Sequence, residues 1–203
     1  ETSDTRLADR IAAFARTEAA RIDRTFSRYR DDSVVHALHA RRGRPFEVDA
    51  ETARLIEFGA ALWRLSDGRF DLTSGVLRHA WRFEEGVCAA DTSKIQGLLG
   101  RIGWQRVRWE PPFITLPEGM ELDFGGIGKE YAVDCVADWA AKECDFPVLV
   151  NFGGDLFASG PRQSGRGWQV AVDDPEQTGK AVRSRLDLTR YSRSSPAPPS
   201  WVS

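Results

Sequence analysis

Apolar residues recur at helical spacing in three long stretches of this chain, and each stretch predicts an amphipathic helix. The first covers about residues 6–26. The second begins after Asp49, a good N-cap residue, and ends at Asp67 and Gly68, a strong stop signal. The third begins at Lys129. Their apolar positions are Leu7, Ile11, Phe14, Ala15, Ile22 and Phe26 in the first helix, Leu55, Ile56, Gly59, Leu62 and Trp63 in the second, and Ala132, Val133, Val136, Ala137 and Ala140 in the third.

Shorter segments alternate between polar and apolar residues or are almost entirely apolar, which is typical of strands. A short helix is predicted over residues 91–102, and residues 70–73 are predicted to be extended before a turn and one turn of helix. Gly153 and Gly154 indicate a bulge or a close approach of two backbones. The predicted strands are residues 104–109, 113–116, 121–124, 148–152, 168–172 and 183–189.

Size, charge and cysteine content restrict the classes of function. The chain has 203 residues, enough for one domain or two small ones with a substantial core. Its net charge is -2 and its basic residues are dispersed, which argues against the basic patch of a nucleic-acid-binding domain. Cys88, Cys135 and Cys144 lack metal-site spacing, and their odd number argues against a disulfide framework. No signal peptide or transmembrane run is recognised, and because exported precursors lose their leader, both the cytoplasm and export stay open.

Three glycines separate the predicted strand over residues 121–124 from the third helix. Glycine allows a positive φ angle and lets a backbone come close to a ligand. A helix that begins directly after such a turn offers free N–H groups and the positive end of its dipole, which together suit a phosphate group. The sequence therefore predicts a phosphate-binding turn, with a tight turn that binds nothing as the alternative. The glycines are Gly125, Gly126 and Gly128.

The glycine turn does not match two common nucleotide-binding loops. A Walker loop would need glycine where Asp123 stands and Ser or Thr where Glu130 stands. A dinucleotide-binding fingerprint that starts at Gly126 would need Gly or Ala in place of Tyr131. Neither of these two loops therefore accounts for a phosphate bound at this turn.

Three other polar side chains have both a ligand-binding and a structural interpretation. Asp71 and Thr73 are able to bond a hydroxyl or a phosphate of a ligand, or else they cap the helix that follows them. Tyr29 stands among charged residues, where it either stacks on a ligand ring or is a partly buried surface tyrosine. Taken one at a time, these residues do not decide between the two interpretations.

Four segments, in order, resemble the ApbE-type flavin transferases, which are FAD:protein FMN transferases once described as thiamine-biosynthesis lipoproteins. The resemblance covers about residues 26–175, which is most of the chain. The ordered set identifies the family, whereas no single segment does. The segments are FSRYRDDS from residue 26, DGRFDLTSGVLRHAW from residue 67, ELDFGGIGKEYAVD from residue 121, and VNFGGDLFASG from residue 150 followed by WQVAVDDP from residue 168.

The resemblance implies an α+β fold with mixed β-sheets and packed helices. It also implies a reaction in which FMN moves from FAD to a Thr or Ser hydroxyl of a target flavoprotein, AMP is released, and Mg²⁺ is required. Gly126 would offer its backbone carbonyl to that metal ion. The residues that would contact FAD, carried over motif by motif, are Tyr29, Arg69, Phe70, Asp71 and Asp123.

The sequence departs from the family pattern in ways that bear on activity. Family members continue well beyond residue 189, with segments that supply a proposed histidine base and two side-chain metal ligands. We therefore expect an incomplete ApbE-like domain over residues 1–190, a disordered or non-native tail over residues 191–203, and impaired transferase activity. His39 stands where the family has an asparagine, and it is interpreted as an ordinary polar residue.

Two other functions stay open at this point. The chain is a non-catalytic flavin- or nucleotide-binding remnant if only the FAD contacts survive. It is an interaction module if its glycine turns are purely structural. Flavin bound to the purified protein would exclude the interaction module, and labelling of an acceptor threonine would distinguish a transferase from a remnant.

Overall fold

The structure is a computed structural model that describes residues 4–84, 87–173 and 182–188. No helix within those ranges combines the length and the apolar character needed to cross a membrane. The helices are α1 (Thr5–Phe26), α2 (Val34–His39), α3 (Ala50–Leu65), α4 (Thr92–Leu99) and α5 (Gly128–Glu143), with 3₁₀ turns at Gly75–Ala80 and Trp104–Arg106. The strands are β1 (Phe46–Glu47), β2 (Trp81–Glu84), β3 (Val87–Ala90), β4 (Arg108–Glu110), β5 (Phe113–Thr115), β6 (Leu149–Phe152), β7 (Asp155–Ala158), β8 (Trp168–Asp173) and β9 (Val182–Leu188).

The chain divides into two compact units. The central unit comprises Ile22–Gly128, and the terminal unit comprises Glu1–Arg21 together with Lys129–Ser203. One boundary lies within α1 and the other at the start of α5, so each of these helices contributes residues to both units. The predicted tail over residues 191–203 lies outside the described residues. The single domain expected over residues 1–190 stays a prediction.

The central unit contains a three-stranded antiparallel sheet in the order β1–β5–β4. Ile114 in β5 is fully buried and pairs with Phe46 of β1 and Trp109 of β4. Burial of apolar side chains around this sheet and the helices is the main favourable term in folding. The buried apolar residues of this unit are Ile22, Phe26, Val35, Leu38, Val48, Leu55, Ile56, Ala60, Leu72, Val76, Ala80, Trp104, Ile114, Leu116, Met120, Leu122, Phe124 and Ile127.

The ends of α3 follow the signals in the sequence. Asp49 caps the helix as predicted, because its carboxylate accepts the N–H of Thr52 at 2.7 Å. The helix ends at Leu65, and Asp67 and Gly68 follow with φ angles of 52° and 76°. This left-handed backbone cannot continue a right-handed helix, so the stop signal is confirmed.

The terminal unit is held together by apolar contacts between α5 and the hairpin of β6 and β7. Gly153 and Gly154 form the turn of that hairpin, with φ angles of 62° and 102°, and Phe152 pairs with Asp155 across it. β8 and β9 form a further antiparallel pair. The buried cluster consists of Val133, Val136, Ala137, Val150 and Phe157, with Phe14, Ala15 and Phe152 packed against it.

The α+β class is confirmed, whereas some local predictions are wrong. Residues 104–106 form a 3₁₀ turn instead of a strand, and only β4 is extended there. Gly153 and Gly154 form a hairpin turn instead of a bulge. The strand pairs of the described ranges are antiparallel, and parallel pairing occurs there only as an isolated bridge between Ser74 and Glu121.

Gly59 in α3 provides the space that Leu72 occupies. A Cβ atom at Gly59 would lie 2.3 Å from Leu72 Cδ1, and Leu72 is 1% exposed. We expect Gly59→Ala to lower the free energy of unfolding by about 1–3 kcal/mol, because overpacking a filled core outweighs the better helix propensity of alanine. Urea denaturation of the parent and the variant measures this difference.

Gly97 in α4 gives a matched control for this substitution. A Cβ atom there would meet no other heavy atom within 4 Å among the described residues. Gly97→Ala should therefore keep only the gain in helix propensity, up to about 1 kcal/mol of added stability. Equal effects of the two substitutions would contradict the packing argument.

Candidate functional site

Two backbone segments of the central unit lie side by side and carry two of the family motifs. The N–H of Asp123 donates to the carbonyl of Leu72 at 2.8 Å, and Ser74 forms a parallel bridge with Glu121. A Cβ atom on Gly75 would lie 3.0 Å from Asp123 Cβ and 3.3 Å from the carbonyl oxygen of Glu121. Glycine at position 75 therefore permits the close approach of residues 71–75 to residues 121–123, which we call the paired segments.

The Asp71 carboxylate accepts hydrogen bonds from other residues of the protein. Its Oδ1 accepts the Thr73 N–H at 2.7 Å and the Thr73 hydroxyl at 2.6 Å, and its Oδ2 accepts the Trp104 N–H at 2.9 Å. The Thr73 hydroxyl oxygen also accepts the Gly103 N–H at 2.8 Å. Both side chains thus fix the turn before the first 3₁₀ helix and join it to residues 103–104. Their use is structural, but neither residue is the cap that we expected, because Ser74 is the N-cap residue of that helix and makes no side-chain cap hydrogen bond.

Phe70 and the glycine turn meet at the same place. A Cβ atom on Gly126 would lie 3.0 Å from Phe70 Cε2, so the bare backbone of Gly126 rests against the edge of the ring. Phe70 is half-buried, and its N–H donates to the Ser66 hydroxyl at 2.9 Å. Arg69 and Gly125 are exposed. The structure therefore brings Phe70, a predicted FAD contact, close to Gly126, the predicted metal ligand.

Arg28 connects the first motif, FSRYRDDS, to this site. Its Nη1 pairs with Asp123 Oδ2, and its Nη2 donates to the hydroxyl of Tyr29 at 2.8 Å. The centre of the guanidinium lies 4.9 Å from the centroid of the Tyr29 ring. Asp123 Oδ1 accepts the Gly125 N–H at 2.9 Å. Tyr29 and Asp123, both predicted to contact FAD, are thus joined through a side chain that the sequence reasoning did not select.

Glu121 is enclosed by basic side chains. Arg78 donates to both carboxylate oxygens at 2.9 and 3.2 Å, His79 Nε2 lies 3.0 Å from Oε1, and Arg42 Nη2 lies 3.8 Å from Oε1. Burial by itself would raise the pKa of Glu121, but the hydrogen bonds and charges of Arg78 and His79 outweigh it and lower the pKa to about 2. The charged carboxylate therefore helps to hold the paired segments in place.

His39 supports the same segment from α2. Its Nε2 accepts the N–H of Leu122 at 2.8 Å, so the imidazole is neutral with its proton on the other nitrogen. Burial, followed by the positive charge of Arg42, lowers the pKa of His39 to about 4. This bond gives His39 a structural role, which goes beyond the ordinary polar residue that we expected.

The described residues do not form a complete magnesium site. They contain no group of three or more His, Cys, Asp and Glu side chains that could hold a metal ion. Asp123, the carboxylate nearest in sequence to Gly126, is already bonded to Arg28 and to the Gly125 N–H. Because Mg²⁺ needs near-octahedral coordination by oxygen atoms, the carbonyl of Gly126 would be one ligand among several.

The fourth motif, which begins at Val150 and contains Asp155, lies in the terminal unit. Lys129, at the start of α5, places its Nζ 2.8 Å from Asp155 Oδ2, and this contact raises the pKa of Lys129. Burial raises the pKa of the neighbouring Glu130. These groups form an electrostatic cluster within that unit.

The arrangement in the central unit suits a ligand with a planar ring and a phosphate. Tyr29 is 77% exposed and presents a ring face, and the Asp123 carboxylate has lone pairs left for a hydroxyl or N–H of a ligand. The backbone of Gly125 and Gly126 is exposed in the glycine turn, which permits the close approach of a phosphate. Arg28 lies next to Tyr29 in the sequence, but its partner Asp123 is 95 residues away, so no local spacing could have linked the two.

The comparisons with known sequences agree on one family. The sequence model described as "ApbE family" matches residues 2–194. The FAD:protein FMN transferase of Klebsiella pneumoniae (strain 342) is 25% identical over 198 residues, which cover 93% of this chain and 56% of that relative.

Solved structures give the same fold. The ApbE protein of Thermotoga maritima MSB8 matches with a TM-score of 0.80 and 29% identity, over 90% of this chain and 60% of that chain. The apo form of the flavinyl transferase ApbE from Pseudomonas stutzeri matches with a TM-score of 0.74 and 26% identity, over 89% of this chain and 58% of that chain. The chain thus spans little more than half the length of these relatives.

We expect the protein to lose stability as the pH falls from about 6.5 to about 4, because of His39. In this range the imidazole of the unfolded chain binds a proton that the folded protein does not bind, so the free energy of unfolding decreases as the pH decreases. Glu121, whose pKa falls from 4.5 to about 2 on folding, adds a second loss below pH 4.5. Urea denaturation midpoints measured across this range give the profile.

His39→Gln is the control for this profile. The glutamine amide oxygen is able to accept the Leu122 N–H but does not titrate. In the variant, the free energy of unfolding should no longer change with pH between about 6.5 and 4 through residue 39. It should still decrease at lower pH because of Glu121. Identical profiles for the parent and the variant would exclude His39 as the source.

Proposed function

The chain belongs to the ApbE family, and on that premise we propose that it is a flavin transferase that binds FAD and moves FMN to a Thr or Ser hydroxyl of a target flavoprotein. The observation that carries the proposal is the meeting of three motifs in the central unit. Asp123 bonds Leu72 of one motif and Arg28 of another, and Gly126 rests on Phe70. The named relative from Klebsiella pneumoniae, an FAD:protein FMN transferase, supports FAD as the donor.

Each part of this site has a proposed task in binding FAD. Tyr29 stacks on a ring of the dinucleotide, since stacking on an exposed aromatic face needs no specific base. Asp123 accepts a hydrogen bond from a hydroxyl or an N–H of the ligand. The exposed backbone around Gly126 and the edge of Phe70 limit the path of the pyrophosphate.

The proposed reaction is one phosphoryl-type displacement. The acceptor hydroxyl oxygen forms a bond to the phosphorus of the FMN half, the bond from that phosphorus to the bridging oxygen breaks, and AMP leaves with that oxygen. The hydroxyl proton passes to a base, and we assign no described residue to that role. Such reactions depend mainly on positioning and on charge stabilisation around the phosphates, which is the contribution of the residues described here.

Mg²⁺ is part of the proposal only as an ion that accompanies the pyrophosphate of FAD. When bound, it would act as a Lewis acid on the phosphate oxygens. The carbonyl of Gly126 is its proposed protein ligand, and phosphate oxygens of FAD and water molecules would be among the others. The donor set of the described residues does not fit a complete magnesium site.

A flavin-binding domain without transferase activity is the second candidate. The observation that favours it is the lack of a metal-holding side-chain cluster among the described residues. Incubation with FAD, Mg²⁺ and a flavoprotein that carries the acceptor threonine separates the two candidates. Flavin fluorescence on the acceptor in a denaturing gel, lost when the threonine is replaced by alanine, supports the transferase, and binding of FAD without labelling supports the second candidate.

We expect Tyr29→Ala and Asp123→Ala each to weaken FAD binding by about tenfold or more, because they remove a stacking face and a charged hydrogen-bond acceptor. Quenching of flavin fluorescence during titration with protein gives the dissociation constants. Tyr29 is 77% exposed, so its truncation should change the thermal midpoint little while it weakens binding.

Glu110→Ala serves as the control for these variants. Glu110 is exposed, and its carboxylate bonds Arg108 of the same strand and none of the proposed contacts. Its replacement should leave the FAD affinity unchanged. Equal FAD affinity in the parent, Tyr29→Ala and Asp123→Ala would refute the assignment of the site.

A further inference from the structure

Arg28 contacts two of the proposed flavin contacts in the central unit, Tyr29 and Asp123. Its guanidinium donates to the Tyr29 hydroxyl at 2.8 Å and pairs with the carboxylate of Asp123. The side chains of Arg28 and Asp123 are each only 22% exposed, whereas Tyr29 is 77% exposed. The ion pair of Arg28 and Asp123 is therefore largely buried, and its guanidinium holds the exposed ring of Tyr29 in place.

Tyr29 needs such an anchor because the core does not hold its ring. Among the described residues, the ring contact and the hydroxyl hydrogen bond of Tyr29 are both made by Arg28. An exposed side chain without such contacts samples several rotamers, and ordering it on binding costs conformational entropy. A ring that is already oriented in the free protein binds a ligand ring at a lower entropic cost.

The charge of Asp123 has to be compensated as well. FAD carries two negative charges on its pyrophosphate, and an uncompensated carboxylate close to them would repel the ligand. Arg28 makes the ion pair with Asp123, and the Gly125 N–H bonds the other carboxylate oxygen at 2.9 Å. Loss of the guanidinium should therefore weaken the binding of an anionic flavin more than that of a neutral one.

We propose that Arg28 is a positioning residue of the flavin site, which orients the Tyr29 ring and neutralises Asp123 through one guanidinium. This role rests on the proposed function, since it is exerted on a bound flavin. Arg28 lies within the FSRYRDDS segment but acts through the two neighbouring contacts, so it need not touch the flavin itself.

The test compares Arg28→Met, Arg28→Lys and Arg30→Met in binding to FAD and to riboflavin, which has no phosphate. Arg28→Met should weaken FAD binding by about tenfold through the lost charged hydrogen bonds, and riboflavin binding by about threefold through the freed Tyr29 ring. Because Arg28→Lys keeps the positive charge, it should recover most of the additional FAD affinity that Arg28→Met loses relative to riboflavin. Arg30→Met is the matched control, since Arg30 lies in the same loop and pairs with exposed Asp32 instead.

A second measurement does not need flavin. In the free protein, Asp123→Asn should shift the NMR signals of the Tyr29 ring, and the shift should disappear in the Arg28→Met background, because the two residues communicate through Arg28. Two outcomes would overturn the role of Arg28 and leave the proposed function standing. One is that the Tyr29 ring signals do not shift in Asp123→Asn, and the other is that Arg28→Met loses FAD affinity and riboflavin affinity by the same factor. A parent chain that binds neither flavin would overturn the proposed function and this role together.

Discussion

The pairing of residues 71–75 with residues 121–123 is the constraint on which the candidate site depends. The hydrogen bond from the Asp123 N–H to the Leu72 carbonyl fixes their register, and the absence of a side chain at Gly75 allows the two backbones to come close. Leu72 is buried below this pairing in the space that Gly59 leaves open in α3. The position of the glycine turn thus depends on packing inside the core as well as on the turn itself.

Charge compensation then holds the paired segments in one conformation. Glu121 and Asp123 both lie on the second segment, and each is matched by arginine side chains that come from other parts of the central unit, Arg78 and Arg28. His39 adds a bond to the backbone between the two carboxylates. Such a network costs desolvation energy, but it keeps a short, irregular segment rigid, and a rigid segment is what a preorganised binding site requires.

The polar groups of the family motifs differ in how far they are used within the protein. The carboxylate of Asp71 and the hydroxyl of Thr73 are used in bonds to each other and to residues 103–104, so this motif shapes the site through its turn. Tyr29 and Gly126, by contrast, are exposed and open to a ligand. A residue carried over from a family motif therefore marks a place in the site, and its contacts decide what it does there.

The sequence by itself determined the long helices α1, α3 and α5 and the short helix α4, because periodicity and caps are set by neighbours along the chain. The cap at Asp49 and the stop at Asp67 and Gly68 are such local features. The ordered motifs also identified the family, and that resemblance implied the α+β class. Only the tertiary structure decided that Arg28 and Asp123, 95 residues apart, form one ion pair, and that Trp104 turns toward the Asp71 carboxylate instead of extending. These contacts depend on which distant segments the core brings together, and no spacing rule along the chain contains that information.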